Sequence, residues 1–277
     1  MKFIHSFFLS VLLTFLLLLS GQVFATTYYS KTSGDWLATS TWKIASSCIA
    51  TGTVGTTPDS GDELIICSGT TVTVGAVSVG LNATVESGGT LDLSSNVLTL
   101  SGALTNNGGT ILSDVQAFVA QSIIHNAGTT NLAGVTTNTT NLITVNGNGA
   151  GLMLSASLIA INSLFISNTN FSMPTTVLSL TGGIAVTSGT LALGINNVVT
   201  GNVVVNTGAS VTGLNQTIGS GTYTTGASST STPPSCVGTL VISTAGAYDC
   251  VPFPGFSISA PIFSTKEKAR VFIEEVR

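Results

Sequence analysis

The chain has 277 residues and few charges, with 7 Lys and Arg against 11 Asp and Glu and a formal net charge of −4 at pH 7. No Lys or Arg lies between Lys43 and Lys266. This excludes a nucleic-acid backbone, whose counterions must be displaced by cations, and an anionic lipid surface. Disorder is excluded as well, because disordered chains are poor in aliphatics and this one is rich in Val, Leu and Ile.

Residues 1–25 have the layout of a secretory signal. Lys2 gives a positive start, Phe7–Leu19 is an apolar run of 13 residues, and "VFA" at Val23–Ala25 offers small residues for cleavage. The run is short for a membrane span, so none is expected after cleavage. "LSGQ" at Leu19–Gln22 lacks the Cys that a lipoprotein box needs in place of Gln22. Export is therefore the expectation, and it makes the four cysteines, Cys48, Cys67, Cys236 and Cys250, candidates for disulfides. Four cysteines allow three pairings. The local ones, Cys48–Cys67 and Cys236–Cys250, are favoured because each closes a short loop. A zinc site would want a CxxC or a nearby His, and neither is present.

Residues 26–69 form an expected N-terminal cap that holds both tryptophans, Trp36 and Trp42. "PDSGDE" at Pro58–Glu63 gathers three carboxylates. They could serve calcium, but Asp and Gly also suit a turn, and the spacing fits no calcium loop.

Residues 70–221 repeat with a period near 20. "SGGTL" at Ser87–Leu91 returns as "NGGTI" at Asn107–Ile111, "NAGTT" at Asn126–Thr130 and "TSGTL" at Thr187–Leu191. In rows of twenty, one apolar column reads Leu98, Phe118, Leu158, Leu178 and Val198. Another reads Leu104, Ile124, Leu164, Ile184 and Val204. Both columns fail in one row, at Asn138 and Thr144, where a local slip would bring Leu142, Ile143 and Val145 inward. A third column holds Asn106, Asn126 and Asn146 and resumes at Asn206 after two apolar rows.

Short alternating runs between Gly, Asn and Ser corners, held to one register, predict an all-β, right-handed parallel β-helix of about 20 residues per coil. An antiparallel sandwich would alternate similarly but would not need the register. Asn at equivalent corners can stack amide on amide as a structural ladder. Capped ends are expected, since open edges invite aggregation.

Residues 222–261 open with "TTGASSTSTPPS", which reads as a linker, and continue into a C-terminal cap. Residues 262–277 form a charged tail in which Ser264 and Glu267 have capping-box spacing for a short helix.

The motifs "YYSKTSGDW", "TW", "PDSGDELII", "SGTTVTV", "VESGGTLDL" and "LTNNGGTI" give the chain a family likeness over Tyr28–Leu112. It resembles the opening β-helix of exported bacterial adhesins and pilus-associated surface proteins. It is also similar to the eight-glycine extracellular domain. That resemblance implies export, a β-helical start and a surface role, and it brings no catalytic residues.

The residues themselves offer little catalysis. A polysaccharide lyase of this shape needs a strong base and positive charge, which the coils lack. A hydrolase needs facing carboxylates. Glu86, Asp92 and Asp114 are the candidates, and solvated surface acids explain all three. His125 is the one histidine of the coils.

The expectation is a non-enzymatic, adhesin-like protein without a cofactor, secreted or held at the cell surface. It would bind a glycan, a protein or itself through Thr, Ser and Asn faces. A polysaccharide-active enzyme is the alternative, and an ice-binding solenoid ranks third because no sustained Thr-x-Thr ladder is seen.

Overall fold

The structure is a computed structural model. It describes residues 25–113, 117–133, 137–154, 160–173, 179–193, 198–199, 202–206 and 208–213. Beyond these it describes strands at 217–218, 222–225, 230–231, 235–236, 239–242 and 257–259. At 117, 137–141, 160, 179, 198–199 and 212–213, and in the later strands, the description is of backbone alone.

Parallel strands stack into a β-solenoid whose coils have three faces. The first face begins with Glu63–Ile66 and Asn82–Val85. The second holds Thr71–Thr73 and Thr90–Asp92, and the third holds Ser78–Gly80 and Leu98–Leu100. Strands Ala103–Leu112 and Ser122–Leu132 each run round the corner from the first face to the second. Each strand alternates one residue inward and one outward, so a single apolar parity fills the interior.

Coil length is not constant. Down the first face, Leu64 pairs with Ala83, Ala83 with Leu104, Leu104 with Ile123 and Ile123 with Ile143. Ile143 then pairs with Leu164, Leu164 with Ile184 and Ile184 with Val203. The steps are 19, 21, 19, 20, 21, 20 and 19 residues. All eight residues are buried, and the seven larger than Ala83 each contribute about 1.5–3 kcal/mol of apolar transfer.

This drift corrects two positions of the predicted columns. Ile124 is half-buried and faces outward, and Val204 is 36% exposed, while Ile123 and Val203 are buried in their place. A shift of one residue moves a strand's side chains to the opposite face. Leu98, Phe118, Leu104, Leu164 and Ile184 are buried as expected. In the slipped row Ile143 and Val145 are buried, but Leu142 is exposed. Leu158 and Leu178 lie outside the described residues. Val198 pairs with Ser179, and it is Val199 that continues the register of buried Leu180.

The N-terminal end is closed by side chains and by a change of strand direction. Thr27–Ser30 pairs parallel to Glu63–Ile66 and antiparallel to Trp42–Ile44, which pairs antiparallel to Thr53–Val54. The reversal ends the parallel stack and so blunts its edge. Trp36 and Trp42 are fully buried, edge to face with centroids 5.7 Å apart. Trp42 Nε1 donates to the Trp36 carbonyl at 2.7 Å, and Trp36 Nε1 to that of Val79 at 3.3 Å. Gly80 leaves room for this plug, since a Cβ there would lie 2.8 Å from Leu64 and 3.4 Å from Trp36.

Cys48 and Cys67 form a disulfide, which for a loop of this length contributes about 3 kcal/mol by restricting the unfolded chain. Lys43 Nζ donates to the carbonyls of Cys48 and Ala50 at 2.6 and 2.8 Å. The Cys236–Cys250 pairing lies outside the described residues.

Parallel pairing crosses the boundary read at residue 221. Val203 pairs with Tyr223, Tyr223 with Leu240 and Leu240 with Ile258. These parts of the stretch read as a linker and cap therefore continue the first face. Residues 262–277 lie outside the described residues. Among the described residues no helix is long and apolar enough to cross a membrane.

Candidate functional site

The repeated "SGGTL" motifs form the corner between the first and second faces. The chain turns left-handed there in successive coils, at Gly88, Gly108, Gly128, Asn148, Asn168 and Gly189. Glycine suits this backbone, and Asn tolerates it. At Gly128 a Cβ would also run into the Gly109 carbonyl of the coil before.

Inside this corner one buried file reads Ile66, Val85, Asn106, His125, Val145, Ile166, Val186 and Val205. The file facing it on the second face reads Val72, Leu91, Ile111, Thr130 and Leu152. Three polar residues thus replace hydrocarbon where the files meet, and Asn106, His125 and Thr130 are each at most 1% exposed.

Their hydrogen bonds are complete. Asn106 Oδ1 accepts the backbone N–H groups of Gly108 and Gly109 at 3.0 and 2.8 Å. Its Nδ2 donates to the Thr129 carbonyl and to Thr130 Oγ1, both at 2.9 Å. Thr130 Oγ1 lies 2.9 Å from His125 Nδ1, and His125 Nε2 lies 3.1 Å from the Asn148 carbonyl.

A carbonyl only accepts, so Nε2 carries the proton and Nδ1 accepts from the Thr130 hydroxyl. This assignment makes His125 neutral. Burial pushes its pKa below 6.5, opposed by the weaker effect of the Asn148 carbonyl. The carbonyl reaches inward because this corner is two residues longer: Val145 to Leu152 spans the place of His125 to Thr130. The extra length forms a short 3₁₀ turn at Gly149–Gly151.

Hydroxyl beside imidazole is the first half of a nucleophile–base pair. Here both groups are fully buried, the far ring nitrogen is held by a carbonyl, and no carboxylate orients the ring. The pair presents no surface to a substrate. Its chemistry is structural, joining three successive coils.

Outside the same corner runs an amide ladder. Asn146 Nδ2 donates to Asn126 Oδ1 and Asn126 Nδ2 to Asn107 Oδ1, both at 2.8 Å. Asn107 Nδ2 then donates to Glu86 Oε1 at 3.2 Å. The predicted ladder is therefore corrected at Asn106, which is buried in the interior, with Asn107 as the rung. Asn206 keeps the column, since its N–H donates to the Val186 carbonyl as that of Asn146 does to His125. Ser167 and Thr187 occupy the coils between, so the amide chain does not reach it.

The predicted acids are dispersed. Asp92 is half-buried, and its Oδ1 accepts from Ser94 N and Ser94 Oγ at 2.8 and 3.3 Å, which closes the next turn. Glu86 ends the ladder, and Asp114 lies outside the described residues. In "PDSGDE", Asp59 Oδ1 accepts Gly61 N–H at 2.8 Å. Asp62 accepts Asp59 N–H at 2.8 Å and Thr26 N–H at 3.2 Å. The segment is a turn that also holds the backbone at Thr26. Among the described residues no three His, Cys, Asp or Glu side chains are placed to hold a metal.

The outward files are mostly uncharged. On the first face one file reads Ile65, Thr84, Thr105, Ile124, Thr144, Phe165, Ala185 and Val204. On the second face Thr71, Thr90, Thr110 and Thr129 fall in register in four successive coils. Rows of twenty hide this threonine file, because its steps are 19, 20 and 19 residues. The chain matches no family model, no curated protein and no solved structure.

Proposed function

We propose that the protein is exported and works outside the cell or at its surface as a non-enzymatic binding rod. The observation that carries this reading is the pair of outward files, which offer hydroxyls and apolar side chains in fixed register without a cation. Such a face recognises neutral partners by many weak hydrogen bonds and by shape. The N-terminal motifs it shares in style with exported surface modules support the same reading.

Size helps to choose the partner. The uncharged part of the first face, from Asn82 to Ser259, is ten strands high and about four residues wide. At ~4.8 Å per strand and ~3.3 Å per residue it covers roughly 600 Å². A stable dimer needs about 800 Å² from each partner. Self-association through this face alone is therefore weak, and an extended neutral glycan or protein segment lying along several coils fits better.

A glycan array and a matrix pull-down, run at low and high salt, test the proposal. Retention that survives high salt, without consumption of the glycan, is the expected result. Loss of retention in salt, or turnover of a polysaccharide, overturns it.

The threonine file favours one second reading, adsorption to an ice lattice. Its weakness is the neighbouring position two residues on. There Thr73 is followed by Asp92, Leu112 and Asn131 in successive coils, so a two-file array does not form. A thermal-hysteresis measurement decides it.

A further inference from the structure

The amide-rich corner contains three described Asn–Gly pairs: Asn107–Gly108, Asn146–Gly147 and Asn148–Gly149. In such a pair the glycine backbone nitrogen can attack the side-chain amide carbon, because no side chain hinders it. The attack needs the nitrogen free and the amide able to turn toward it.

The three pairs differ in what holds them. Asn107 donates to Glu86 and accepts from Asn126, and the Gly108 N–H is held by Asn106 Oδ1. Asn148 Nδ2 donates to the Gly128 carbonyl at 2.7 Å, and the Gly149 N–H donates to Thr169 Oγ1 at 2.6 Å. Asn146 is the last rung. Its amide makes one bond, to Asn126, its Oδ1 accepts none among the described residues, and neither does the Gly147 N–H donate one. Asn107, Asn146 and Asn148 are all exposed, so their hydrogen bonds and not burial rank them.

We propose that Asn146 is a site of spontaneous covalent modification, deamidation through a succinimide. The Gly147 nitrogen forms a bond to Asn146 Cγ and the Cγ–Nδ2 bond breaks. Ammonia leaves, carrying the proton that Gly147 gives up through water. Water then opens the ring. Cleavage at Cγ gives aspartate, and cleavage at the main-chain carbonyl gives isoaspartate, with the chain running through the former side chain. Either product lacks the Nδ2 donor, so Asn126 loses its partner and the ladder opens from its end.

Attack breaks one hydrogen bond at Asn146, two at Asn148 and three at Asn107. At a typical net worth each bond slows the step about fivefold. The folded full chain, aged at mildly alkaline pH, is digested and each site followed by mass spectrometry, with isoaspartate identified by an isoaspartate-directed carboxyl methyltransferase. Asn146 is expected to lead Asn148 by about fivefold and Asn107 by about twenty-five-fold. In the denatured chain the three rates are expected to converge. Equal rates in the folded protein, a lead for Asn107 or Asn148, or the same ranking before and after denaturation overturns the proposal. So does a folded protein in which no site reacts while the denatured chain reacts at all three.

Discussion

At the corner between the first and second faces, the coils of Asn106, His125 and Thr130 carry a hydrogen-bonded polar interior. Three coils further on, Ile166, Val186 and Leu191 fill the equivalent places with hydrocarbon and are equally buried. Both sets of coils turn through left-handed residues, Gly108 and Gly128 in one and Asn168 and Gly189 in the other. The solenoid therefore does not demand apolar side chains in this file. It demands that whatever is buried be satisfied, and only the longer corner at 146–151 supplies the inward carbonyl that His125 needs.

The sharpest way to break the comparison is to move one polar residue from the wet corner to the dry one. Ile166→Asn places an amide where Leu191 stands in the place that Thr130 holds beside Asn106, so its hydroxyl partner is missing. Lost apolar burial and an unsatisfied amide together are expected to cost about 3–6 kcal/mol. Urea unfolding reads this as a lower midpoint at unchanged slope. A variant as stable as the parent would mean that the file tolerates polar groups without partners.

The second test stays inside the wet corner. Thr130→Val keeps the shape and removes the hydroxyl, leaving His125 Nδ1 without its donor. The expected loss is about 1–3 kcal/mol. Adding His125→Leu to Thr130→Val is expected to cost less than the two single losses combined, because the orphaned nitrogen goes with the ring. Strict additivity would show that the two side chains do not act as one network.

The contrast also has a pH signature. The folded His125 pKa lies below its unfolded value of 6.5. Below about pH 6.5 the unfolded chain takes up a proton that the folded chain refuses. Stability is thus full above that pH and declines as pH falls toward the lowered folded value. Only neutral groups, Asn106, Thr130 and Asn148, hydrogen-bond within the network that holds the ring. His5 is the only other histidine of the sequence. Comparing the parent with His125→Leu across this range isolates the effect, since carboxylates contribute equally to both. Parallel curves would remove His125 as its source.

Much of this architecture is legible in the sequence, and its limits have one cause. A period near twenty, apolar columns and Gly or Asn corners suffice for a solenoid, because stacking demands all three. The actual steps of 19 to 21 residues do not show, since in "SIIHNAGTTNL" Ile123 and Ile124 offer two equally good inward phases. Choosing the wrong phase turns Ile124 inward and His125 outward, and makes Asn106 a rung in place of Asn107. Parity was the available signal: Ile123 and His125 share a face, so burying one buries the other. Thr130 and the Asn148 carbonyl had no signal, because only the fold brings them to the ring. The antiparallel ribbon at Trp42–Ile44 and Thr53–Val54 is likewise set by tertiary pairing of very short segments.

The smallest expected effect separates the inside of the corner from its outside. Asn126→Ala removes both amide bonds of the middle rung, Asn146 to Asn126 and Asn126 to Asn107. All three rungs reach solvent, so water replaces the lost partners, and the net cost is expected below about 1 kcal/mol. The Thr130→Val change removes a single hydroxyl yet is expected to cost more, because no water enters to replace it. The order of these two melting shifts is therefore the decisive measurement. If Asn126→Ala lowers the midpoint further than Thr130→Val, the exposed ladder fixes the corner and the buried network is secondary. If the order is as expected, the ladder is a surface feature, free to change chemically at Asn146 without loosening the coils beneath it.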